Sequence, residues 1–99
     1  MRITDYQAKR IKEIVLEKLG LEARVWLFGS RVDDSAKGGD VDLMVSVPYD
    51  VESVAETTGK VIVPVVRLFE GRKTDIVLDA PNLKSMPIHE IARTQGIEL

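Results

Sequence analysis

Apolar residues recur at helical spacing near the start of the chain. Ala8, Ile11, Val15 and Leu19 share one stripe, joined by Ile14. Thr4 followed by Gln7 fits a capping box, in which side chain and backbone satisfy each other's unpaired donors. Gly20 stands where a C-terminal cap belongs. These features predict an amphipathic helix over about residues 5 to 19. Residues 23 to 28, ARVWLF, form a short apolar run rich in strand formers and predict a central strand. The period then changes to strict alternation in DVDLMVSV, residues 40 to 47. Val41, Leu43, Val45 and Val47 take one face, and Asp40, Asp42, Met44 and Ser46 take the other. Pro48 ends this second strand.

In the second half, Asp50 is placed to cap a helix with Val51, Val54, Thr58, Val61 or Ile62, and Val65 along one stripe. Pro64 and Gly59 oppose that helix and leave a strand reading of VIVPVV open. After the turn EGRK, the run TDIVLD at residues 74 to 79 predicts a third strand, with Asp75, Val77 and Asp79 on one face. Ser85 and Pro87 open a short last helix carrying Ile88, Ile91 and Ala92, which closes at Gly96 before an apolar tail, IEL. The order α, β, β, α, β, α, with no repeat or linker, predicts one α/β domain over residues 1 to 99.

Composition narrows the classes of partner. A hydrophobic share of 44% and a charged share of 30% are those of a soluble globular chain. The net charge of −2, with both signs interspersed, gives no basic footprint, so direct nucleic-acid binding is not expected. A nucleotide substrate remains compatible, because a metal ion can supply the positive charge locally. The absence of cysteine excludes disulfides and thiolate metal sites. No run approaches the roughly 18 apolar residues of a membrane span, and the charged N-terminal stretch lacks a signal-peptide core. A cytoplasmic location is expected, with no membrane partner. The chain leaves homo- and hetero-oligomeric states equally open.

The chemistry-bearing stretch is GSRVDDSAKGGDVD, residues 29 to 42. Gly29 permits close backbone approach at a strand end, Ser30 offers a hydroxyl, and Arg31 could neutralise phosphate charge. Backbone N–H groups after Ser30 could meet an anion if a helical turn starts there. Asp40 and Asp42, two apart on a strand, place their backbones about 6.6 Å apart with side chains on one side. With magnesium–oxygen bonds of about 2.1 Å, that gap suits a shared ion or a two-ion site. If Asp75 lies beside them, it adds a third ligand and a group able to take a proton from an attacking hydroxyl. Each feature has an ordinary explanation when taken singly: a turn, a solvated strand face, a surface acid. Their combination in this order is what points to catalysis. His89 is expected on the polar face of the last helix, Trp26 and Phe28 in the core or at an interface rather than as a base-stacking platform, and Arg72 and Lys73 as solvated turn charges. Asp33, Asp34 and Lys37 read as loop solvation, with a phosphate contact as the alternative for Lys37.

With Gly29-Ser30-Arg31, Asp40-Val41-Asp42-Leu43 and Thr74-Asp75-Ile76-Val77 in place, the chain resembles the minimal members of the polymerase-beta-like nucleotidyltransferases. The resemblance spans most of the chain. It implies a small mixed sheet of three to four strands backed by helices, an α/β (α+β) fold. It also implies one or two magnesium ions, and ATP as nucleotide donor. By that likeness Gly29, Ser30 and Arg31 hold the nucleotide, and Asp40, Asp42 and Asp75 form the catalytic, metal-binding triad.

Minimal members are similar to antitoxins whose partner is a HEPN-domain ribonuclease toxin, inactivated by transfer of AMP to a tyrosine. The chain departs from many of them in a spacer at 31 to 39 that is shorter by one residue. It also has Gly39 where a serine often stands. The expectation is therefore a magnesium-dependent protein adenylyltransferase acting on a HEPN toxin. A small-molecule hydroxyl as acceptor, or neutralisation of the toxin by binding alone, are the rival expectations.

Overall fold

The capping box forms. In a computed structural model, which describes residues 3–29 and 40–99, the Gln7 N–H donates to Thr4 Oγ1 at 3.0 Å and the Thr4 N–H donates to Gln7 Oε1 at 2.9 Å. Helix α1 runs Asp5–Leu19 and buries Ile11, Ile14, Val15 and Leu19. Gly20 ends it at φ 105°, a conformation that glycine adopts without a Cβ penalty. Strands β1 (Arg24–Phe28) and β2 (Val41–Ser46), helix α2 (Val54–Leu68), strand β3 (Thr74–Asp79), helix α3 (Pro87–Gln95) and strand β4 (Ile97–Glu98) follow.

The four strands make one mixed sheet in the order β3-β2-β1-β4. β1 runs antiparallel to both β2 and β4, while β2 and β3 are parallel and joined through α2. That crossover settles the ambiguity at VIVPVV. Parallel neighbours need a long connection that returns the chain to the same end of the sheet, and a helix supplies it while burying one face. Val61 and Val65 are fully buried, while Val63 on the opposite side is exposed. Pro64 is accommodated within the helix. The cap is Ser53, whose Oγ accepts from the Glu56 N–H at 3.2 Å, rather than the expected Asp50.

The two sheet faces differ in content. One carries Val25, Leu27, Val41, Leu43, Val45 and Leu78 and joins Ile11, Val15, Val61 and Val65 of α1 and α2 in the main core. The other carries Trp26, Phe28 and Met44, packed with Ala92 of α3 and with Val77. Trp26 and Phe28 are thus core residues, as expected.

Two expectations about the last helix need correction, the place of His89 and the cap. Ile88 and Ile91 are exposed, and the buried residues are His89 and Ala92. His89 is not on a polar face: its Nδ1 accepts the Met86 N–H at 2.9 Å and its Nε2 lies 3.1 Å from the Leu78 carbonyl oxygen. The ring caps α3 from within the helix, a task expected of Ser85, and ties it to β3. With Nδ1 accepting, Nε2 carries the proton toward Leu78.

The apolar tail is also more than a tail. It forms β4 against β1, and the Leu99 N–H donates to the Val25 carbonyl at 2.9 Å. Gly96 makes the preceding turn possible, since a Cβ there would meet the Ala92 oxygen at 2.3 Å and the Leu27 oxygen at 2.7 Å.

Arg24 grips β4 through a forked pair with Glu98, at 2.8 Å and 2.7 Å, and stacks over Trp26 at 4.9 Å from the ring centroid. This pairing holds the Glu98 carboxyl below its ordinary range. A carboxylate whose folded value is depressed adds stability above its unfolded value and loses it as pH falls through the folded one. The stability difference between wild type and Glu98→Gln should therefore shrink as pH falls below about 5, as read by urea unfolding across pH. A pH-independent difference would show that the pair contributes through packing alone.

Candidate active site

Alternation along the strands and the register between them sort the α3 face into three rows. Asp75, Asp42 and Phe28 form the first, Val77, Met44 and Trp26 the second, and Asp79, Ser46 and Arg24 the third. The middle row is apolar and joins Ala92 of α3. In the third row the Ser46 hydroxyl donates to Asp79 at 3.0 Å, and Arg93 of α3 pairs with the same carboxylate. The first row stands at the end of the sheet where β2 and β3 begin. Asp42 is half-buried there, and Asp75 is exposed.

Parallel register is what brings Asp75 to Asp42. The pairing of Asp42 with Asp75 is direct, and the Val41 N–H donates to the Lys73 carbonyl at 3.0 Å just before it. One step further back, Asp40 stands opposite Lys73. Lys73 Nζ lies 4.0 Å from Asp40 Oδ2 and 4.0 Å from Asp75 Oδ2. Reading Lys73 as an ordinary turn charge missed this role. The available signal was parity: Lys73 and Asp75 are two apart, so they share a face just as Asp40 and Asp42 do.

Three carboxylates on one face raise the cost of charging the most enclosed of them. The Asp42 carboxyl is pushed above its ordinary range, first by burial and then by the charges of Asp75 and Asp40, with Lys73 opposing the shift. Gly29 completes the enclosure. It sits at φ 74°, and a Cβ built there would fall 2.3 Å from Asp42 Oδ2. Glycine is thus required twice at this position, for its dihedral and for the room it leaves to a carboxylate.

Gly29, Asp40, Asp42 and Asp75 are the expected site residues whose surroundings are described. Ser30 and Arg31, together with Asp33, Asp34, Lys37 and Gly39, lie outside the described residues. Asp75 and Asp40 are near enough for their charges to raise the Asp42 carboxyl. Among the described residues, though, no group of three or more His, Cys, Asp or Glu is gathered into a ready metal shell. The donor set nevertheless suits a hard divalent cation. Among the described residues the donors at this end of the sheet are carboxylate oxygens, and their like charges repel. No helix among the described residues is long and apolar enough to cross a membrane.

Comparison with protein families gives one assignment. Residues 8–94 match a family model described as a nucleotidyltransferase domain. That span contains Gly29, all three aspartates and Lys73. No curated protein matches the chain significantly.

Two outcomes follow from the enclosure of Asp42. Because its folded value is raised, the charged form costs stability once pH climbs above the ordinary carboxylate range. Asp42→Asn should therefore unfold at higher denaturant than wild type near neutral pH in chelator, with the advantage vanishing in acid. Gly29→Ala should cost about 1 to 3 kcal/mol from its left-handed dihedral and the displaced carboxylate. Part of that cost should disappear in an Asp42→Ala background, where the clashing oxygens are gone; strict additivity would refute the contact.

Proposed function

The chain belongs to the nucleotidyltransferase domain family, and on that premise we propose that it is a magnesium-dependent adenylyltransferase whose acceptor is a tyrosine hydroxyl of a HEPN-type toxin. The observation that carries the catalytic part of this reading is the placement of Asp75 directly opposite Asp42, with Asp40 and Asp75 each 4.0 Å from the same Lys73 ammonium. It supports a single reaction centre built from two strands. The assignment of the acceptor rests on the resemblance of Gly29-Ser30-Arg31 and the two aspartate strands to minimal antitoxin nucleotidyltransferases.

In this reading Asp40, Asp42 and Asp75 would hold magnesium. When bound, the ion neutralises phosphate charge and favours the ionised acceptor. The chain's own residues do the rest. Gly29, Ser30 and Arg31 take the triphosphate, as the resemblance implies. Asp42, set by the sheet register beside Gly29, is the half-buried member of the triad. Asp75, at the exposed start of β3, is accessible to an acceptor hydroxyl and takes its proton. The hydroxyl oxygen forms a bond to the α-phosphorus of ATP, the bond to the β-phosphate bridging oxygen breaks, and pyrophosphate leaves.

The test is incubation with α-labelled ATP, magnesium and the product of the neighbouring gene. Label should appear on that protein, on tyrosine, and fall by at least about 100-fold in Asp42→Asn and Asp75→Asn, in line with losing a group needed in the transition state. Complex formation without labelling would replace this reading with neutralisation by binding. Transfer to a small hydroxylated compound instead would replace the acceptor while keeping the chemistry.

A further inference from the structure

The four charged residues at the start of β2 and β3 form a two-by-two array. Asp42 stands on β2 with Asp40 at its entrance, and Asp75 stands on the parallel β3 with Lys73 at its entrance. The Lys73 backbone is pinned there, because its carbonyl accepts the Val41 N–H. Its ammonium sits at the same 4.0 Å from Asp40 and from Asp75. This is not a closed ion pair with either. Its side chain is 70% exposed, so little besides charge holds it between them.

An ammonium on a flexible four-carbon stem can hold such a position reversibly, which a planar guanidinium forked onto one carboxylate would not. We propose that Lys73 is the resident counter-cation of the acidic cluster, a positioning residue that occupies the charge position of a divalent ion and is displaced when that ion binds. The proposal rests on the metal-binding reading of Asp40, Asp42 and Asp75 given above.

Two effects of opposite sign follow for one residue. Without a divalent ion, Lys73 lowers the repulsion among three carboxylates and stabilises the fold. With one, it competes, so the cost of moving it weakens apparent affinity. A purely structural lysine would produce the first effect alone, and a lysine that helps to bind the ion or its nucleotide would produce affinity loss on removal.

The experiment is a manganese and magnesium titration of the intact chain without nucleotide, followed by thermal unfolding and by calorimetry. The proteins are wild type, Lys73→Met, Lys73→Arg and, as a control for net charge, Lys60→Met on the exposed side of α2. Lys73→Met should melt below wild type in chelator yet bind the divalent ion roughly five- to tenfold more tightly, the size of one unit charge removed at a partly solvated distance. The gain should diminish in high salt. Lys73→Arg should keep the chelator-state stability of wild type and show no tighter binding, and Lys60→Met should match wild type.

Unchanged or weaker binding in Lys73→Met overturns the inference while leaving the metal site intact. If wild type itself shows no divalent-dependent shift, the metal-binding reading fails, and the inference with it. If Lys73→Met does not fold, Lys73→Gln replaces it, with the same expected direction and the same overturning result.

Discussion

The parallel pairing of β2 with β3 is the constraint from which the geometry of this molecule follows. Antiparallel strands could have been joined by a short turn, but parallel ones require the chain to travel back along the sheet. The α2 crossover performs that return, and in doing so it fills one side of the core with Val61 and Val65. The same pairing sets the register that stations Asp75 opposite Asp42. A slip by one residue would send Asp75 to the α1–α2 face, into the apolar core, and would expose Ile76 in its place. Core and site are therefore specified by one set of ladder hydrogen bonds, and the hydrophobic demand of the first holds the second in register.

The face that carries the acids shows how a sheet can be both packed and chemically open. α3 meets the apolar row of Val77, Met44 and Trp26, anchored by His89 at Leu78 and by Arg93 at Asp79. The acidic row lies at the strand starts. Enclosing Asp42 against Gly29 there raises the free energy of its charged form, a local instability that the apolar rows and the core beneath must offset. Such tension is typical of sites that await a charged ligand, because the group that costs stability alone is the one that gains most from a cation.

Most of this was legible from residue order. The 3.6-residue stripe and capping box marked α1, and the two-residue alternation in DVDLMVSV assigned Asp40 and Asp42 a common face before any coordinates. Asp75 was legible as a candidate but not as a neighbour, since register between strands belongs to the folded chain. The misplaced details share a physical origin. His89 caps α3 by folding its ring back on the Met86 N–H, a tertiary solution that spacing does not announce. Asp50 and Ser85 have the chemistry of caps but not the position, and Ser53 and His89 take those roles. Pro64 lowers helix propensity, yet the topological need for a crossover outweighs one lost hydrogen bond. β4 is two residues long, and it forms because Gly96 lets the chain pass close to Leu27.

The outer strands of the sheet carry one further consequence. An unpaired strand edge is a template on which another chain can add, and proteins blunt such edges with brevity and with charge. β4 uses the first device and bears Glu98, held by Arg24. β3 is longer and displays Asp75 and Asp79 on one side. These acids thus also guard the border of the sheet, and replacing them with neutral residues would remove a barrier to edge-to-edge association.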